Sequence, residues 1–131
     1  MTNILVHQHL YGQKVTDLKA YGRGELDFRR NIIGVDFDVS QYGYAEFVFE
    51  SGRFFISIDG LSSIRPPIKE VHEIPVDSDI VEAFVGARLL SISFDGEDYE
   101  IQFEGFEPLY GWLQFNDWTE QFYFELLFAE T

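Results

Sequence analysis

The chain has 131 residues, 46 % of them hydrophobic, with 14 Phe and 7 Tyr. That length and apolar supply suit one domain over residues 1–131 and argue against extensive disorder. It has no cysteine, which excludes disulfides, thiol catalysis and Cys-type zinc sites and suits a reducing cytoplasm. Twenty-three acids against 9 Lys and Arg give a net charge of −14, a field that repels nucleic acid and attracts basic protein.

Residues 1–10 lack the basic start and long apolar run of a secretory leader. No stretch approaches the roughly 20 apolar residues of a membrane helix. The expectation is therefore a cytoplasmic chain that does not enter a membrane. The stretch up to Gly12 fits a short helix or a strand. Gly22-Arg23-Gly24 reads as a turn; it lacks the third glycine of a dinucleotide fingerprint. Leu10-Tyr11-Gly12-Gln13-Lys14-Val15 echoes Phe84-Val85-Gly86-Ala87-Arg88-Leu89, which suggests two helix–Gly–strand units.

Period-2 alternation then predicts a three-stranded meander over residues 33–59. Gln41-Tyr42-Gly43 is its first loop, with Gly43 in the left-handed position, and Ser51-Gly52 its second. This register sets Phe37 against Phe47, Phe49 against Phe54 and Phe47 against Ile56 on one apolar face. The other face carries Asp36, Asp38, Tyr44, Glu46, Val48, Phe55 and Asp59, with Asp38 directly opposite Glu46.

Residues 64–76, with Pro66, Pro67 and Pro75, read as a surface connection. Asp79 can cap a helix of a turn or two that stops near Gly86. Asp95-Gly96 is a further hairpin turn, pairing Ile92 with Tyr99 and Leu90 with Ile101 on the inside. Trp112 to Phe115, a loop at residues 116–119, and the alternation Phe122, Phe124, Leu126, Phe128 give a last hairpin. The fold class expected is α+β: mainly antiparallel β-sheet meanders with one or two short helices.

No phosphate-binding glycine loop, zinc-protease motif or nucleophile elbow is present. A metal site would have to gather His7, His9 and His72. The expectation is no catalytic residues, no metal and no cofactor.

The outward face of the meander is the sharper signal. Acids opposed across strands are unfavourable by a few tenths of a kcal/mol, and Tyr44, Val48 and Phe55 interleave with them. Such a face suits a basic protein, aromatics forming the desolvated centre and acids the steering rim. A helix docked over it would instead make Val48 and Phe55 core. The tip residues Asp117 and Trp118 form a second candidate contact. In size, charge and lack of catalytic motifs the chain resembles, in general character, bacterial immunity proteins and antitoxins, and no single motif carries that likeness. It implies an inhibitor that covers the basic surface of a toxin, for instance a nuclease. A small-molecule or carbohydrate-binding β domain and a structural subunit are the other readings.

Overall fold

A computed structural model describes residues 7–31 and 35–128. Among the described residues, eleven strands form two antiparallel sheets. In chain order they are β1 (Val15–Gly22), β2 (Phe28–Arg30), β3 (Phe37–Ser40), β4 (Tyr44–Phe49), β5 (Gly52–Ser57), β6 (Gly60–Ser62), β7 (His72–Ile74), β8 (Leu89–Phe94), β9 (Tyr99–Phe103), β10 (Leu109–Asn116) and β11 (Gln121–Phe128). A helix, α1 (Ser78–Phe84), lies between β7 and β8, and 3-10 turns occupy Gln8–Leu10 and Glu25–Asp27. The first sheet has the order β6-β5-β4-β1-β7 and the second β2-β3-β11-β10-β9-β8. No helix among the described residues is long and apolar enough to cross a membrane.

One aromatic core joins the inner faces of both sheets. Phe47 of the first sheet stacks on Phe54 at 4.9 Å and meets Phe37 and Phe103 of the second. Phe84, at the end of α1, stands edge-on to Phe37, Phe47 and Phe103 and fills the space between the layers. The helix stops where expected: Val85 donates to the Val81 carbonyl, and Gly86 takes φ +92°. Asp79 sits in the first turn, its Oδ1 accepting from the Ile80 N–H, beside the side chain of Arg30.

The expected single meander does not form, because β3 and β4 belong to different sheets. β3 pairs with β11, Phe37 opposite Leu126 and Val39 opposite Phe124. β4 pairs with β1 and β5. The turn at residues 41–43 is thus a corner between layers. A Cβ on Gly43 would lie 2.6 Å from the Tyr21 carbonyl and 2.9 Å from that of Asp27, so glycine is needed there for close approach. Gly43 is not among the glycines of positive φ, so the left-handed reading fails.

Two hairpin registers are offset by two residues. Phe47 faces Phe54 and Ala45 faces Ile56, because the turn uses Glu50 and Ser51. Ile92 faces Ile101 and Phe94 faces Tyr99, because the loop takes all of 95–98, with Asp95 Oδ1 accepting from the Glu97 and Asp98 N–H groups. Those two N–H groups hold the Asp95 carboxyl below its usual range. An offset of two leaves each side chain on its predicted face. Leu90 is the exception: the register shift between Leu89 and Ser91 turns it outward and leaves it exposed.

The two echoing segments pair with each other. Lys14 bridges Arg88, Gly12 donates to the Leu89 carbonyl, and Val15 donates to that of Ala87. Gly12 and Gly86 share a left-handed φ, +89° and +92°. The likeness therefore records a repeated local geometry at the corner joining the sheets. Residues 1–6 of the N-terminal expectation lie outside the described residues.

Candidate functional site

The structure divides the expected docking face. Tyr44, Glu46, Val48 and Phe55 point outward from the first sheet, whereas Asp36 immediately precedes β3 and Asp38 lies within it, in the second. Tyr44, Glu46, Phe55 and Asp36 are buried, and Val48 and Asp38 half-buried. Asp38 faces Glu125, not Glu46.

The cover over the first sheet is the proline-bearing segment, not a helix. Arg65 places its guanidinium over the rings of Tyr21, Tyr44 and Phe55, at 5.4, 5.7 and 5.1 Å. Its Nη1 donates to the Tyr44 hydroxyl at 2.8 Å. Glu46, 2 % exposed, accepts from Arg53 at 2.7 Å and from the Tyr21 hydroxyl at 3.2 Å. Burial and the nearby Glu46 carboxylate raise the Tyr21 phenol above its usual range. The acid and aromatics that looked like a partner's landing place are thus satisfied inside the fold. Asp36 likewise accepts the Phe128 N–H with Oδ1 at 2.8 Å. Its carboxyl titrates above the ordinary range because burial outweighs that hydrogen bond.

Asp59, Asp117 and Trp118 remain, and all three are exposed. Asp59 shares a groove with Leu113 and Phe124, midway along the β10–β11 hairpin, and the other two occupy its tip. The hairpin gathers an apolar surface that was not anticipated. Leu109, Gly111, Leu113 and Phe115 alternate on one face of β10, opposite Phe128, Leu126, Phe124 and Phe122 of β11. Near the base this stripe is core: Leu109, Phe124 and Leu126 are buried. A Cβ on Gly111 would meet the Phe124 ring at 2.5 Å. Farther out the stripe continues without cover. Leu113 is 50 % exposed, Phe115 46 %, Phe122 45 %, and Trp118 97 %.

The tip is built to hold these rings. Phe115 and Phe122 meet edge to face at 4.9 Å. Asn116 Oδ1 accepts the N–H groups of Trp118 and Thr119, fixing the start of the turn. Glu120 closes it at φ +54°, a left-handed conformation that costs a non-glycine residue on the order of 1 kcal/mol. Acids rim the stripe: Asp117 and Glu120 at the tip, and Asp59 and Glu97 along a groove of about 140 Å³ that also touches Phe94, Tyr99 and Leu113.

The sequence carries Leu113, Phe115 and Phe122 as ordinary core alternation. Nothing local marks where the opposing sheet ends, and that end is what exposes them. Among the histidines, His7 is buried, His9 exposed and His72 on the edge strand β7. The described residues contain no group of three metal-ligating side chains. Comparison of the chain with protein-family models, curated proteins and solved structures finds no match.

Proposed function

We propose that this chain is an acidic protein-binding inhibitor, of the immunity-protein or antitoxin kind, that seats its β10–β11 hairpin on a basic partner. The observation that carries the reading is the continuation of the core stripe into open solvent, with Trp118 at 97 % exposure. Exposed aromatic clusters rimmed by charge are unusual on a monomer that binds nothing. Trp is also the residue type most enriched among interface hot spots. The −14 charge favours a cationic partner and raises the encounter rate with it. A nuclease toxin, whose substrate surface is basic, fits that description.

The test is affinity capture from the source cells by the tagged chain and by its Leu113→Ser/Phe115→Ser/Trp118→Ser variant. The wild type should retain a basic protein stoichiometrically, and the variant should lose it. With the captured protein purified, Trp118→Ala should raise Kd by at least about tenfold. Asp59→Asn/Asp117→Asn should act mainly on the association rate. Equal capture by wild type and triple variant rejects the hairpin as the binding element.

A further inference from the structure

The outward face of the second sheet carries a cross-strand row that the fold itself leaves unbalanced. Arg29 of β2 pairs with Asp38 of β3, Asp38 with Glu125 of β11, and Glu125 with Trp112 of β10. Beside this row lie Tyr123, opposite Ser40 and Gln114, and Tyr110, opposite Leu127 and Glu100. All of these except the buried Ser40 are half-exposed. Two carboxylates thus stand directly opposed on an open sheet face, an arrangement that is destabilising by itself. Arg29 lies on the far side of Asp38, and no described Lys or Arg forms an ion pair with Glu125. Asp38 Oδ1 is closed off from solvent without a hydrogen-bond partner of regular geometry.

We propose that this face is a second docking surface, separate from the hairpin, and that it takes an arginine-bearing extended segment of a protein partner. A guanidinium laid across the row would set its fork of N–H donors against Glu125 and the solvent-facing part of Asp38. Its plane would then rest against Trp112, the ring best suited to cation–π contact. Tyr123, Tyr110 and Leu127 supply the apolar ground on either side. A second copy of this chain is a poor occupant, because it would bring another net −14 charge. Both carboxyls titrate above their usual range. Burial is the main cause for each, joined at Glu125 by the negative charges of Asp38 and Asp36. At Asp38, the Asn31 amide and Arg29 offset part of it. A bound cation would pull both back down.

The probe is acetylated hexa-arginine amide at low salt, with tryptophan emission as the signal. A Trp118→Phe background leaves Trp112 as the single reporter, since the chain has two tryptophans. The peptide should shift Trp112 emission. Asp38→Asn/Glu125→Gln, near-isosteric and relieved of repulsion, should weaken binding at least about tenfold. Glu50→Gln/Glu73→Gln, which removes the same charge at two exposed positions elsewhere, should weaken it less than about threefold. In the unmodified chain, amide chemical shifts of Asp38, Glu125, Trp112 and Tyr123 should move first, a readout that needs no variant. Equal losses from the two double variants, or shifts spread evenly over the acidic surface, overturn the proposal. So does concentration-dependent self-association blocked by the peptide, which would make a second copy the occupant. A failed hairpin capture leaves this result standing, because the peptide is read at Asp38, Glu125 and Trp112, which the capture variants leave unchanged.

Discussion

His7 shows how little a single residue type fixes its role. As one of three histidines it invites a metal reading, yet its ring is fully buried, edge-on to Phe54 at 5.7 Å. Neither ring nitrogen has a hydrogen-bond partner among the described residues. Burial, helped by the nearby His9, lowers its pKa from 6.5 to about 4. The unfolded chain therefore binds the proton more tightly than the folded one. Stability is fully present above pH 6.5 and is lost as pH falls toward 4, by about 2 kcal/mol at pH 5. Urea melts of His7→Leu should show that acid-side loss much reduced between pH 7 and pH 5. An unchanged slope would mean the imidazole is not the group responsible. Asp27 is the opposite case, a buried acid with its needs met: Oδ2 accepts the N–H groups of Arg23 and Gly24, and Oδ1 the Ser40 hydroxyl. It ties the turn after β1 to the end of β3.

At the scale of elements, faces were legible and partners were not. Alternation placed Phe47, Phe49, Phe54 and Ile56 on the inside, and they are buried, although the turn lies one residue earlier than its glycine suggests. Period 2 is blind to an offset of two, so only turn chemistry could have set the register, and Ser51-Gly52 misdirects it. The pairing of β3 with β11 was invisible because nothing local records a partner that far away. The proline-bearing strap was legible as a connection but not as a cover. Its hold on the sheet centres on Arg65, whose contacts with three rings and the Tyr44 hydroxyl need a planar fork. Arg65→Ala should destabilise by about 1–3 kcal/mol, and Arg65→Lys should recover less than half. Proteolysis within residues 64–71 should quicken in both. Full recovery by Lys would show that charge alone holds the strap.

Over the whole molecule the surplus of acid works against compactness. Screening should therefore stabilise the fold: between about 0.01 and 0.15 M salt the Debye length shrinks from roughly 30 to 8 Å. The melting temperature should rise by a few degrees over that range, and a fall would mean that attractive pairs outweigh the repulsion. The raised carboxyls of Asp36, Asp38 and Glu125 act in the same sense. Each is more easily protonated folded than unfolded, so the stability it lends is present at low pH and lost as pH rises through its folded pKa. His7 tilts the profile the other way, its contribution rising between about pH 4 and 6.5.

The seating of β11 between β3 and β10 has a consequence for how the polypeptide is made. The ribbon of β2 and β3 leaves the ribosome early but has no neighbour in its sheet until β11 emerges. Through most of synthesis it therefore presents an unpaired edge, the kind that invites pairing with a stranger. Closing the second sheet is a late, long-range event, and folds closed that way are slow to form. Nascent chains stalled before residue 121 should accordingly be protease-sensitive in β3, and chains released past residue 128 protected there.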